Sequence, residues 1–342
     1  MTAKTTIVLC YPLEPRHLAQ IERAAAAAGI DAEIIDATQE RVAAELARAD
    51  IFCGHPKVPV SWDEVVRVGR LRWIQSSAAG MDHCLVPSVV ASDIVVTSAS
   101  GVLADQVAEH CLALVTGLLR GLPTFFRQQQ AHDFTRRPTR DLHHSTIGIV
   151  GLGGVGRRIA EVLAPLKVRI LATDYYPIRK PPHVESLWPP ERLDEMLPLL
   201  DVLILSAPLT DQTRGLIDAA RLAKMKPGAM LVNMGRGPMV VERDLVAALE
   251  SGHLAGAALD VTEVEPLPPE SRLWDQPNVI ITPHVAGQSA RRADDTTDFF
   301  CGNLARYAAG RPLRNLLVDK RLGFPPPYVD DDGGPAPIAC HS

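Results

Sequence analysis

One segment constrains this chain more than any other: residues 146–160, TIGIVGLGGVGRRIA. An apolar run leads straight into Gly151, Gly153 and Gly156, which stand at G-x-G-x-x-G spacing, and a helical run follows. Each glycine answers a different need. Gly151 permits a tight strand-to-helix turn, Gly153 lets backbone approach a pyrophosphate without a β-carbon in the way, and Gly156 lets the helix pack close to the sheet. The helix that begins there points free N–H groups, from Gly154 and Val155 among others, at the same place. Asp174 lies about 20 residues on, directly after a second apolar run, which is the context that separates a dinucleotide loop from an ordinary glycine turn. A carboxylate at that position can accept from both ribose hydroxyls of NAD and would repel the 2′-phosphate of NADP. Arg179 and Lys180 follow closely, either as a solvated charge pair or as cations that soften the preference.

Such a loop implies an α/β unit, and the rest of the chain supplies two series of them. With 342 residues, two domains are expected. The first hundred residues alternate short apolar runs (Ile7–Cys10, Ala32–Ile35, Ile51–Cys53, Trp73–Gln75, Ile94–Thr97) with amphipathic stretches at Pro15–Ala28 and Glu40–Arg48. A long helical pattern runs from Leu103 to about Gln130, interrupted near Gly121 and Pro123. The second series has strands expected at Ile147–Val150, Arg169–Thr173, Val202–Leu205, Met230–Asn233, Ala257–Asp260 and Val279–Thr282. Ser289–Ala309 is helical in pattern again, and a Pro-, Gly- and Asp-rich tail from Phe324 reads as poorly ordered. Strands alternating with helices give doubly wound parallel sheets.

Bulk properties narrow the partners. The composition is 46% hydrophobic and 22% charged, with net charge −5 and pI about 6.1. That balance offers neither nucleic acid nor an anionic membrane a basic face. The N-terminus reads as a first strand rather than a signal peptide, and no run approaches the ~20 apolar residues of a membrane helix. Six scattered cysteines (Cys10, Cys53, Cys84, Cys111, Cys301, Cys340) show no metal-like spacing and read as reduced, mostly buried thiols of a cytoplasmic protein.

Three further segments, 231–238 (LVNMGRGP), 258–268 (ALDVTEVEPLP) and 278–287 (NVIITPHVAG), join the glycine loop in one ordered set. Together they resemble the D-isomer-specific 2-hydroxyacid dehydrogenases, over about Ile7 to Phe324 and most densely between Val107 and Gly287. The resemblance implies two doubly wound domains: a discontinuous substrate domain (1–102 plus 288–323) and an NAD-binding Rossmann domain (103–287), with substrate in the cleft between them. It implies hydride transfer between NAD and a small D-2-hydroxy or 2-oxo acid. Arg236 is the implied carboxylate clamp and carbonyl polariser, a task that suits a guanidinium fork. His284 is the implied acid–base group, and Glu265 its partner, orienting the ring and favouring its charged form. Glu263 is a local competitor for Glu265. The cofactor set adds Ala207, Pro208, Met234, Gly235, Gly287 and Asp260, the last resembling the aspartate that meets the nicotinamide amide; a strand-end cap is its rival reading.

On the substrate side, the stretch 76–82 (SSAAGMD) matches the family's carboxylate-receiving loop, with Ala79, Gly80 and Met81 offering backbone amides; a plain turn with Asp82 as helix N-cap is compatible with that. Where phosphoglycerate enzymes carry an arginine at a strand end, this chain has Gly54 and His55, followed by Lys57. The basic stretch Arg136–Arg140 beside Phe134 departs from the family, either as a solvated loop or as an arm to a neighbouring subunit. The helix Leu103–Leu119 resembles the family's dimer-forming element, so a homodimer is expected. Three other readings share the motifs: phosphoglycerate-type activity, formate- or phosphite-type chemistry, and an NADH-sensing scaffold of the corepressor type.

Overall fold

The computed structural model describes residues 4–327. Within these, the chain separates into two compact units, one formed by residues up to 103 together with those from 289 on, the other by 104–288. Residues 328–342, most of the tail and Cys340 with it, lie outside the described residues.

In the first unit, β1 (Thr5–Cys10), β2 (Ala32–Asp36), β3 (Ile51–Gly54), β4 (Trp73–Ser76) and β5 (Val95–Thr97) form a sheet of order β2-β1-β3-β4-β5, parallel throughout. Side chains alternate across a strand, so a strand covered on both faces is apolar at most positions. Ile7, Leu9, Ile51, Cys53 and Trp73 face one side, under Phe300 and Leu304 of the helix Arg292–Ala308. Val8, Cys10, Phe52 and Ile74 face the other, under Trp62 and Val65 of the helix Trp62–Val68. The C-terminal helix thereby becomes part of the first unit's core, with the Phe300 ring 5.4 Å from that of Trp73.

In the second unit, β6 (Thr146–Val150), β7 (Arg169–Thr173), β8 (Ser186–Trp188), β9 (Val202–Leu205), β10 (Ala229–Asn233), β11 (Leu254–Leu259) and β12 (Val279–Ile281) pair in the order β12-β11-β10-β9-β6-β7-β8, again all parallel. The order reverses direction between β6 and β9, and ligands of doubly wound sheets bind at such a switch point, beyond the carboxyl ends of the strands. Ile147 and Ile149 pack beneath the helices Ala104–Leu119 and Gly154–Leu163. Leu203, Leu205 and Leu231 pack beneath Glu242–Glu250 on the opposite face.

The long helical pattern breaks where expected, into Ala104–Leu119 and Leu122–Gln130, because Gly121 adopts φ +70°, a left-handed conformation that ends the first. Other local expectations need correction. Glu40–Arg48 is helical only from Val42, and it tightens into a 3-10 turn over Leu46–Arg48. The strand expected at Ala257–Asp260 starts at Leu254 and stops at Leu259, which leaves Asp260 just beyond the sheet. No helix starts after Asp82: residues 82–84 form a turn, and the next helix is Pro87–Ala91.

Candidate active site

The glycine loop joins β6 to the helix Gly154–Leu163, and steric contacts justify each glycine separately. Gly151 has φ +90°, and a β-carbon on it would lie 2.7 Å from Ala207 Cα. A β-carbon on Gly156 would lie 2.0 Å from the Gly151 carbonyl oxygen. Over Gly153, by contrast, a β-carbon would meet nothing within 4 Å. Of the three glycines, Gly153 is the one with open space over it. No side chain caps this helix, so the N–H groups around Gly154 and Val155 are offered to an anion. Ser206 braces the turn, its hydroxyl donating to the Gly151 carbonyl at 2.7 Å. Ala207 and Pro208 follow at the end of β9, with the Thr213 hydroxyl donating to the Pro208 carbonyl at 2.8 Å. These features fit a dinucleotide.

Asp174 sits at the end of β7. Its carboxylate accepts from the Leu152 N–H at 2.5 Å and from the Tyr176 N–H at 2.8 Å, tying the glycine loop to the turn after β7. Burial pushes its carboxyl above the usual carboxylate range, opposed by those two N–H bonds and by the charge of Arg157. Arg157, which the sequence reading did not single out, donates to the carbonyls of Arg179 (2.7 Å) and Ile178 (3.1 Å) and so closes the turn that follows Asp174. Lys180 donates to the Val184 carbonyl at 2.6 Å.

Arg236 lies three residues past β10, beyond Asn233 and Met234. Asn233 is fully buried and staples this turn: its side chain accepts from the Gly235 N–H at 3.1 Å and donates to the Arg236 carbonyl at 3.0 Å. The glycines on either side of Arg236 approach the protein itself. A β-carbon on Gly235 would lie 2.7 Å from the Ala207 carbonyl oxygen, and one on Gly237 would lie 1.7 Å from that of Thr262. The half-buried guanidinium donates to the Gly235 carbonyl at 2.8 Å.

Thr262 in turn donates its N–H to Glu265 at 3.2 Å, and the other oxygen of Glu265 lies 2.8 Å from Nδ1 of His284. Contiguous contacts therefore run from the Arg236 turn through Thr262 to the Glu265–His284 pair. Both members of that pair are open to solvent, at 38% and 50% side-chain exposure, so the ring is held on one nitrogen and accessible on the other. Glu263 is elsewhere, accepting from the Glu242 N–H at 2.9 Å as a cap on the helix Glu242–Glu250.

Asp260 is 3% exposed, and protein donors take both its oxygens. They are the Thr282 hydroxyl at 2.6 Å and the N–H groups of Val285 and Ala286 at 3.0 Å each. This geometry is that of a strand-end cap. His110, also unremarked in the sequence, reaches the same cluster from the helix Ala104–Leu119, its Nε2 3.0 Å from Thr282 Oγ1. Gly287 belongs to the turn that follows.

In the first unit, the Ser76–Met81 loop leaves β4. The Ser77 N–H donates to the Gly54 carbonyl at 3.2 Å, the Ala78 N–H to Ser76 Oγ at 3.0 Å, and the Ala99 N–H to the Ala78 carbonyl at 3.0 Å. Ala79 stands on the exposed rim, Gly80 is half-buried and Met81 is buried beneath them. His55, at the end of β3, stacks on His83 with ring centroids 4.1 Å apart. Of the basic stretch, Arg140 is bound to the Gly228 carbonyl, whereas Arg136 and Arg137 are exposed, as is Phe134. Cys10, Cys53, Cys84 and Cys111 are buried thiols, the last two pushed up to about 12 by burial. Among the described residues there is no metal-binding cluster and no helix long and apolar enough to cross a membrane.

Comparison with known proteins agrees with this layout. Residues 112–286 match the family model of the D-isomer specific 2-hydroxyacid dehydrogenase NAD-binding domain. A glyoxylate reductase of Thermofilum pendens is 36% identical over 263 residues, 74% of this chain and 76% of that protein. A glycerate dehydrogenase of Methylorubrum extorquens is 31% identical over 286 residues, 80% of this chain and 88% of that protein. Among solved structures, a D-isomer specific 2-hydroxyacid dehydrogenase of Xanthobacter autotrophicus, in complex with NADPH and MES, superposes with TM-score 0.77 at 30% identity, covering 94% of this chain and all of that one.

Proposed function

The chain belongs to the D-isomer specific 2-hydroxyacid dehydrogenases, oxidoreductases that use a nicotinamide cofactor, and on that premise we propose that it interconverts a small 2-oxo acid and its D-2-hydroxy acid with His284 and Glu265 as the acid–base pair. The observation that carries this reading is the 2.8 Å contact between His284 Nδ1 and Glu265 Oε2. The nicotinamide, when bound, supplies or takes up the hydride. In the reducing direction the substrate's carbonyl oxygen gains negative charge, and His284 donates a proton to it from Nε2, so the product leaves as the hydroxy acid and the ring is left neutral. Glu265 fixes the ring's orientation and stabilises the imidazolium that oxidation regenerates. Arg236 holds the substrate carboxylate and draws electron density from the adjacent carbonyl. The backbone amides of Ala79, Gly80 and Met81 are further carboxylate donors in this proposal. Asp174 favours NAD by accepting from the adenosine ribose.

The test is a panel of glyoxylate, hydroxypyruvate, pyruvate and phosphohydroxypyruvate with NADH. At least one should be reduced, and His284→Ala should lower its kcat by roughly 10²–10⁴-fold. A fully active alanine variant would overturn the acid–base assignment.

A further inference from the structure

We propose that His110 is a positioning residue for His284, acting through the Thr282 hydroxyl and the buried Asp260 carboxylate. This deepens the reading above and rests on His284 being the acid–base group.

His284 has φ +53°, a left-handed conformation uncommon for a residue other than glycine. What holds it is a clamp on the backbone around it. The His284 N–H is shared between the carbonyls of Asp260 at 2.8 Å and Thr282 at 3.0 Å. The next two N–H groups, of Val285 and Ala286, each go to one oxygen of the Asp260 carboxylate at 3.0 Å. The backbone at and after His284 is thus fixed by one residue at the end of β11.

The direction of the remaining bonds follows from chemistry. A carboxylate only accepts, so the Thr282 hydroxyl, 2.6 Å from Asp260 Oδ1, must spend its single proton there. Its oxygen then faces His110 Nε2, 3.0 Å away, with lone pairs alone, and His110 must present an N–H to it. The same Nε2 lies 3.5 Å from Asp260 Oδ1, so the donor also leans toward the carboxylate. Remove that donor and the Thr282 hydroxyl loses the partner that sets its rotamer, and Asp260 loses the dipole that faces it. His110 belongs to the helix Ala104–Leu119, the other elements to the ends of β11 and β12. The relay therefore pins the His284 loop to a rigid element outside the sheet. Such bonds in a buried network support one another.

Two variants of the full-length protein test this: His110→Leu, which removes the donor, and His110→Gln, which keeps an N–H at similar reach. Amide hydrogen exchange at Val285 and Ala286 is followed without cofactor, and kcat and KM are measured with NADH and the best 2-oxo acid. In His110→Leu, exchange at the two amides should rise about tenfold and kcat fall about tenfold, with KM for the acid changed less than about twofold. His110→Gln should recover most of both losses. Unchanged exchange and kcat in the leucine variant, or a glutamine variant no better than leucine, overturns the relay. A wild-type protein inactive on every 2-oxo acid would instead sink the proposed function, and the exchange measurements would then decide the relay alone.

Discussion

The two sheets end in loops of the same kind, yet the main anchors of those loops differ in charge. In the second unit two anchors are carboxylates, beside the Asn233 amide at the end of β10: Asp174 collects the Leu152 and Tyr176 N–H groups, and Asp260 collects those of Val285 and Ala286 with the Thr282 hydroxyl. In the first unit the anchor is a neutral amide. Gln75, 1% exposed, donates to the carbonyls of Ser76 and Ser98, while its oxygen accepts from the Thr97 hydroxyl and from Asn303 of the C-terminal helix. A carboxylate accepts only, so it gathers loops whose N–H groups converge, and it brings a charge. A carboxamide both donates and accepts, so it can tie carbonyls and a helix together with no charge at all. The charged anchors stand in the unit that carries the dinucleotide loop and His284.

Asp260→Ala removes the most heavily used of these anchors. That change leaves one hydroxyl and two backbone N–H groups buried without their acceptor, and should lower stability by about 3 kcal/mol. Catalysis should suffer too, with kcat falling further than the roughly tenfold expected of His110→Leu, because the clamp itself is gone. Urea denaturation and steady-state kinetics measure the two effects. An alanine variant with the wild-type midpoint would mean that the carboxylate is not the anchor.

A smaller effect is expected in the first unit. Gln75→Leu keeps the volume but removes a donor and an acceptor from a fully buried network, leaving Thr97 and Asn303 a partner short. The expected loss is about 2 kcal/mol, the same across the neutral pH range because no partner of Gln75 in that network titrates. A loss that varied with pH there would erase the distinction between the two units.

How much of this was legible in the sequence depends on where the partners come from. The sheets and the glycine loop were readable because their signals are local: apolar runs for buried parallel strands, and three glycines at a fixed spacing between a strand and a helix. The short strand Ser186–Trp188 was not, since three partly buried residues at a sheet edge leave no run to see. Arg236, Glu265 and His284 came into view only through motif register. The glycines beside Arg236 are explained only by the fold, which brings Ala207 and Thr262 against them. His110 carried no signal, because a histidine on an amphipathic helix reads as surface until the strand ends beneath it are known. Asp260 was readable as a strand end, whereas its donors stand 22 to 26 residues downstream and emerge only with the fold.

The subtlest distinction between the units concerns acid. Burial raises the Asp174 carboxyl above its ordinary value of 3.8, so the folded protein holds a proton there more readily than the unfolded chain does. The sign follows from linkage. The group's contribution to stability is fully present below the unfolded value and is lost as pH rises through the raised folded value, because the ionised form must then sit in a poorly solvated loop. Asp174→Asn removes that titration. The asparagine oxygen can accept from only one of the two N–H groups, which adds a penalty, but one that is constant with pH. Denaturation midpoints of wild type and Asp174→Asn should therefore diverge in slope rather than in level: as pH rises from the carboxylate range toward neutrality, wild type should lose stability relative to the variant. Gln75→Leu, followed in the same way, should run parallel to wild type. If the Asp174→Asn curve also runs parallel, burial at the end of β7 is too shallow to matter, and the charge on the second unit's anchors has no energetic consequence at that loop.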